Sequence, residues 1–322
     1  MEWHETALRL SNNGENCGNI ARTLSSMGYF DNLPHKIVYD RVRRFLLSNS
    51  TIKKAKSQDT IQNYFSQNIL EDFGGAKSIT FGLIGDTHIN SKYTQLSSLH
   101  QFYQEIAKRG ITNVYHCGDI DDGEQMRVGQ EYELYNHGAD AHVEHIATVY
   151  PKISGVKTKF ITGNHDTAIY KHSGCDIGKR ISEIRDDLIY LGRDCATVNL
   201  TDNCTLELRH PWDGSSYAIS HKSQKIIDNM LADERPNIIA IGHYHKAEFL
   251  PYRGVFSFQV GGFQGTTPFM KGKGIYSNIG GWIVTVTFDD NQEIKSIVPE
   301  FISYKEIPND YRQYAQIYVP QL

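Results

Sequence analysis

Five short segments of the 322-residue chain each place polar, metal-competent side chains directly behind an apolar run. Gly85-Asp86-Thr87-His88 follows Ile79 to Ile84, Gly118-Asp119 follows Val114 to Cys117, and Gly163-Asn164-His165-Asp166 follows Phe160 to Thr162. His221 ends the run Tyr217 to Ser220, and Gly242-His243-Tyr244-His245 follows Ile238 to Ile241. In an extended loop, residues two apart point the same way, so Asp86 with His88, and His243 with His245, can reach towards one region. A glycine ahead of the ligand permits an abrupt turn. Carboxylate and imidazole donors together suit borderline divalent ions such as Mn, Fe, Ni, Co or Zn, whereas Ca prefers oxygen alone. The chemistry within reach of these residues is that of a bound transition ion.

The elements that must position them change character along the chain. Three helix-like segments, near Trp3 to Leu10, Asn19 to Met27 and His35 to Leu47, are separated by turn signals and predict a small all-helical domain over residues 1–50. Ile20, Leu24 and Met27, and then Val38, Val42 and Phe45, recur at helical spacing and can form its core. Residues 51–77 read as a linker. From Ile79 strands alternate with helices: Ile79 to Ile84, a helix near Leu96 to Lys108, Val114 to Cys117, a helix near Glu133 to Thr148, and Lys159 to Thr162. After Asp194 the chain turns strand-rich, with Thr205 to Arg209, Tyr217 to Ser220, Ile238 to Ile241, Val255 to Val260 and Trp282 to Phe288, interrupted by a helix near Gln224 to Leu231. The expected architecture for residues 78–302 is α/β: two mixed sheets packed together and flanked by helices, a four-layer sandwich, with a C-terminal tail at 303–322. In such folds ligand groups gather on loops leaving the carboxyl ends of strands.

Taken together and in this order, the five segments resemble the signature of the calcineurin-like metallophosphoesterase superfamily: Asp-x-His, Gly-Asp, Gly-Asn-His-Asp or Glu, a lone His, then Gly-His-x-His. The resemblance covers about Ile79 to Phe301. It implies that Asp86, His88 and His245 bind one metal, that Asn164, His221 and His243 bind a second, and that Asp119 bridges them. The implied cofactor is two divalent transition ions, Mn foremost, and the implied substrate a phosphate ester. Two cations roughly 3.5 to 4 Å apart can lower the pKa of a water between them, hold phosphate oxygens and neutralise charge in the in-line transition state. The resemblance assigns His165 the protonation of the leaving oxygen. Asp166 then either orients the His165 ring or serves as a helix N-cap. His221 is preferred to His210, which also ends an apolar segment, because a helix and a strand follow His221 in the order the family shows.

Other groups take blander readings. His142 and His145 fit a solvated helix face, and Asp121, Asp122 and Glu124 a solvated loop tip. Tyr170, Lys171, His172, Lys179 and Arg180 fit a soluble surface, and the glycine-rich run from Gly261 to Gly281 a mobile loop near the site. The five cysteines are odd in number, widely spaced and lack a CxxC pair, which argues against a disulfide framework or thiolate zinc and fits a reducing cytoplasm. No apolar stretch approaches the roughly 20 residues that cross a bilayer, so no membrane partner is expected. The net charge of −4 is unevenly divided: residues 1–56 hold nine Lys or Arg against five Asp or Glu, and the remainder 24 against 32. The second and third helices resemble a helix-turn-helix, and Lys36, Arg41, Arg43 and Arg44 on the third form a face that could dock on DNA phosphates. The connector Gly28 to Pro34 is longer than a tight helix-turn-helix needs, and a small bundle that packs on the catalytic domain or forms an oligomer is the alternative. The functional expectation is a phosphodiesterase or nuclease acting on DNA, with hydrolysis of small nucleotides, or DNA binding by a silent domain, as rivals.

Overall fold

The structure is a computed structural model and describes residues 3–12, 17–30, 33–48, 68–71, 73, 75–214 and 216–315. It divides into two compact units, Met1–Tyr64 and Phe65–Leu322. The linker expected at 51–77 lies largely outside the described residues.

The first unit contains α1 (Trp3–Asn12), α2 (Cys17–Ser26) and α3 (His35–Ser48). Ala7, Ile20, Ala21, Leu24, Phe30, Val38 and Val42 form its core, the helical spacing of small and branched apolar residues turning one stripe of each helix inward. Met27 falls beyond the end of α2 and is exposed.

The second unit runs β1 (Asn68–Leu70), β2 (Ser78–Ile84), α4 (Leu96–Lys108), β3 (Asn113–Cys117), α5 (Ala139–Val149), β4 (Lys157–Thr162), α6 (Asn164–Ser173), α7 (Ile177–Ile184), β5 (Leu188–Arg193), β6 (Cys195–Thr201), β7 (Cys204–Arg209), α8 (His221–Asp228), β8 (Ile238–Ile241), β9 (Ala247–Tyr252), β10 (Val255–Val260), α9 (Pro268–Lys273), β11 (Gly280–Phe288), β12 (Ile294–Ser303) and α10 (Arg312–Ala315). Its strands form two six-stranded mixed sheets, ordered β12-β11-β2-β3-β4-β5 and β1-β6-β7-β8-β10-β9. Strands β2 to β5 are parallel, and β11 closes on β2 antiparallel.

Phe81, Leu83, Tyr115, Ile161 and Val284 of one sheet meet Val198, Leu206, Leu208, Phe258 and Val260 of the other in a buried middle layer. On the outer face of the first sheet, Leu99, Phe102 and Ile106 of α4, Val143 and Ile146 of α5 and Ile181 of α7 pack on Val114 and Phe160. Ile227 of α8 covers Ile239 and Ile241 on the outer face of the second. The four layers follow from the sequence patterns. Strand β8, buried on both faces, is a continuous apolar run and β2 is buried from Phe81 to Ile84, while β6 and β7 alternate buried and half-buried residues.

Two expected elements differ. Tyr217 to Ser220 is a turn rather than a strand, with Tyr217 and Ile219 exposed. The helix expected from Glu133 begins only at Ala139, after a 3-10 turn at Gln130–Tyr132. The C-terminal tail returns to α4, where Asp310 accepts from Ser97 N at 2.7 Å and Ile307 N donates to Gln95 at 2.7 Å.

Candidate metal centre

The carboxyl ends of the central strands in both sheets open on one side of the sandwich. Asp86 and His88 leave β2, Asp119 leaves β3, and Asn164 opens α6 after β4, all from the first sheet. His210 directly follows β7, and His243 and His245 follow β8, in the second. Five of these residues hold left-handed backbone: Asp86 (φ 50), His88 (φ 44), Asp119 (φ 53), His243 (φ 78) and His245 (φ 53). Such a conformation is unfavourable for a non-glycine residue and persists only where the surroundings impose it. Here they do: Asp86 N donates to Gly118 O at 2.9 Å, His88 N to Asp119 O at 3.1 Å, Phe263 N to Asp86 O at 2.9 Å and Asn278 N to His245 O at 2.8 Å. The glycine-rich run is thereby pinned beneath the site through Phe263 and Asn278.

The side chains converge in two groups, Asp86 with His88 and His245, and Asp119 with His210 and His243, the ligand atoms of each lying within 4.8 Å of one another. His88 Nε2 lies 3.8 Å from Asp119 Oδ2, which places the Asp119 carboxylate beside both groups. Asn164 Oδ1 lies 3.0 Å from His210 Nε2. Each imidazole that faces inward with one nitrogen is held by the other. His88 Nδ1 donates to Asp122 Oδ1 at 2.9 Å, His210 Nδ1 to the Cys117 carbonyl at 2.7 Å, and His243 Nε2 to the Asp213 carbonyl at 2.6 Å. His245 Nδ1 lies 3.5 Å from Ser277 Oγ. Imidazoles oriented in this way by carbonyls and carboxylates are the form in which proteins present metal ligands.

Crowding these groups together perturbs them strongly. Burial would lower the His210 imidazole, yet the Asp119 carboxylate beside it raises it to about 10. Burial opposes the His88 proton likewise, and the hydrogen bond and charge of Asp122, with Asp119 and Asp86, raise it to about 9. Burial pushes Asp86 up to about 7. Burial, with the charge on His88, drives His245 well below its ordinary value, and its Nε2 meets His88 Nε2 at 3.1 Å. Two imidazole nitrogens facing each other at that distance share at most one proton. His243 N donates to both Asp86 oxygens at 2.9 Å and His165 N to Asp119 Oδ1 at 2.9 Å, so backbone amides orient the carboxylates, and a cradle of such oxygens and imidazole nitrogens fits a divalent cation.

A family model for the calcineurin-like phosphoesterase superfamily domain matches residues 79–272. The chain belongs to that superfamily. The matched stretch is a domain of the phosphoesterase kind. A DNA polymerase II small subunit from Methanothermobacter thermautotrophicus is 27% identical to this phosphoesterase over 190 residues, covering 48% of the chain and 39% of the subunit. The chain thus spans well under half the length of that relative. Among solved structures, a novel archaeal phosphodiesterase is 14% identical, with a TM-score of 0.40 over 70% of this chain and 100% of its own. Zinc-bound Vps29 from Entamoeba histolytica is 15% identical, with a TM-score of 0.34 over 70% and 99%.

The site corrects three sequence readings and, for Asp166, favours one of the two alternatives. His221, expected as a ligand, is exposed in the first turn of α8 and joins neither group; His210 occupies that position, buried between Asp119 and Asn164. Asp166 accepts from Gly163 N at 2.7 Å and Asp121 N at 2.9 Å, capping α6 and tying two ligand loops together; His165 Nδ1 instead donates to the Asp122 carbonyl at 2.6 Å. Asp121 and Asp122 are buried, not solvated. His142 and His145 are buried as well, His142 Nδ1 donating to Asp121 at 2.7 Å.

Asp122 is the functional residue that the sequence reading missed. Besides His88 it accepts from Gln264 Nε2 at 2.9 Å, and its carbonyl accepts from Gln130 Nε2 at 2.9 Å. Its place beside His88, after the left-handed turn at Asp119, is a matter of tertiary packing, and only the run of acids after Asp119 hinted at it. Asp122→Asn retains the shape but removes the charge that holds the His88 proton. It is expected to weaken metal binding or turnover by about 10- to 100-fold, read by metal titration and steady-state kinetics.

Proposed function

We propose that this phosphoesterase is a dinuclear-metal phosphodiesterase whose substrate is nucleic acid, DNA foremost. Asp86, His88 and His245 would hold one divalent ion and Asn164, His210 and His243 the other, with Asp119 between them; Mn suits the mixed donors, and Fe, Zn, Ni or Co would also fit. The observation that carries the reading is the convergence of seven such side chains from both sheets, five of them on left-handed backbone. A bound pair of divalent cations supplies Lewis acidity towards phosphoryl oxygens and brings water into the range where it ionises at neutral pH.

The protein's own groups do the rest. The Asp122 carbonyl fixes one proton of His165 on Nδ1, so that Nε2 is the atom left to take up a second, which the ring as imidazolium would give to the departing ester oxygen, returning to the neutral form. His165 shares with His88, Asp119, His243 and His245 the wall of a cavity of about 480 Å³, large enough for a nucleotide beside the reacting phosphate. That volume also suits a small nucleotide as the whole substrate, which is the second reading.

Two further observations support nucleic acid. The relative found by sequence is a DNA polymerase subunit. Lys36 and Arg41 are exposed on α3, where with Arg43 and Arg44, whose side chains lie outside the described set, they would form the face offered to phosphates. No described helix is long and apolar enough to cross a membrane; a cytoplasmic location goes with the reading of the cysteines. Purified protein with Mn is expected to hydrolyse bis-p-nitrophenyl phosphate, to stop on chelation, and to turn over DNA faster than cyclic nucleotides or monoesters. Full activity in Asp119→Asn would sink the assignment of the centre.

A further inference from the structure

The catalytic cavity does not end at the candidate ligands. A second cavity, of about 370 Å³, adjoins it and shares Tyr244, Lys273 and Ile275 as walls. None of the candidate ligands lines the second cavity. Lys222, Lys246 and Lys273 do, Lys222 pairing with Asp213 of the first cavity at 2.6 Å, and no carboxylate is among the described residues lining the second. This stands out in a stretch of chain, residues 57–322, that carries eight more acidic than basic residues.

Large rings stand on the rim of the same path. Trp212 and Phe269 are 51% and 46% exposed beside the first cavity, and Tyr276 and Tyr217 are 57% and 108% exposed beside the second. Single exposed apolar residues are ordinary, but four aromatic rings along one path form a patch that calls for a ligand. Three of them carry a cation at the ring face: Lys171 at 4.7 Å from the Trp212 centroid, Arg127 at 5.3 Å from Phe269 and Lys246 at 3.0 Å from Tyr276. A mononucleotide would fill the first cavity and leave this cationic extension without a purpose.

Resting on the phosphodiesterase reading above, we infer that the two joined cavities form a track for single-stranded nucleic acid, which seats the scissile phosphate at the centre and several further nucleotides along Lys273, Lys246 and Tyr276. Lysines follow the phosphates, and aromatic faces take unstacked bases without regard to sequence. A duplex keeps its bases stacked on each other and offers those rings nothing.

The test uses the full chain in chelator, so that binding is read without cleavage. Fluorescence anisotropy with labelled oligothymidylates of two, four and eight nucleotides is expected to show affinity rising with length, and an eight-base-pair duplex binding more weakly than the eight-nucleotide strand. Phe269→Ala and Tyr276→Ala are each expected to weaken the longest strand by about fivefold or more. Lys246→Ala and Lys273→Ala are each expected to flatten the slope of log affinity against log salt by about 0.7 for every phosphate no longer neutralised. Lys295→Ala, exposed on β12 and outside both cavities, is expected to bind as the unaltered protein does. Circular dichroism establishes that each variant is folded. Tighter binding of the duplex, or groove variants that bind like the unaltered chain, would overturn the track. Hydrolysis of bis-p-nitrophenyl phosphate by the same proteins with Mn keeps the two readings apart: no turnover with intact strand binding fails the phosphodiesterase, and the reverse fails the track.

Discussion

His210→Ala is expected to lower turnover of bis-p-nitrophenyl phosphate by more than about 100-fold, whereas His221→Ala leaves it at the level of the unaltered enzyme. The lower bound follows from the cost of losing a mere orienting partner of a metal ligand, about 10- to 100-fold. His210 is nearer than that: its Nε2 lies 3.2 Å from Asp119 Oδ2 and 3.0 Å from Asn164 Oδ1, while its Nδ1 is engaged by the Cys117 carbonyl. Removing the ring takes a donor from one candidate ion site and leaves the Asp119 carboxylate without its strongest counter-charge. Metal content measured on the purified variant should fall together with turnover. Equal effects of the two substitutions would mean that the second group of ligands is misassigned.

Gly163→Ala is expected to be nearly as damaging, although it removes no functional atom. A Cβ at this position would lie 2.3 Å from Asp119 Oδ1 and 2.6 Å from His210 Nε2. Neither neighbour can yield: one is held by His165 N at 2.9 Å, the other by the Cys117 carbonyl. The added methyl must displace the carboxylate or the imidazole, with overpacking of about 1–3 kcal/mol in stability and a loss of metal affinity alongside. Thermal unfolding and metal titration of the same sample check both effects. An alanine variant with unaltered turnover would show that this backbone has room it is not credited with.

The glycines explain why part of the site was legible in the sequence. Gly118 and Gly242 would also drive a Cβ into His210, to 2.5 and 2.9 Å from its Nδ1, so the glycine before each ligand serves close approach as much as turning. That requirement leaves short glycine-ligand words in the chain, and Asp86, His88, Asp119, Asn164, His243 and His245 stand where those words placed them. His210 carries no such word of its own; it is preceded by Arg209 and followed by Pro211. The decoy was Tyr217 to Ser220, apolar enough to read as a strand, whose residues face outward on the rim of the groove instead. Strands β9 and β12 escaped notice for a related reason. Both are sheet edges, each holds a proline (Pro251, Pro299), and neither shows a clean buried alternation. Asp122 and Asp166 lay within recognised segments, but their tasks depend on which backbone amides and imidazoles arrive from other strands, and nothing in local spacing records that.

The candidate ligands are divided between the sheets, Asp86, His88, Asp119 and Asn164 on one and His210, His243 and His245 on the other. An ion seated there is a rivet through the open end of the sandwich, and pulling the halves apart requires expelling it. Each tenfold rise in free cation above its dissociation constant then adds about 1.4 kcal/mol to the folded state. The same atoms that are proposed to prepare a phosphate for attack would decide how firmly the two halves of the sandwich stay closed.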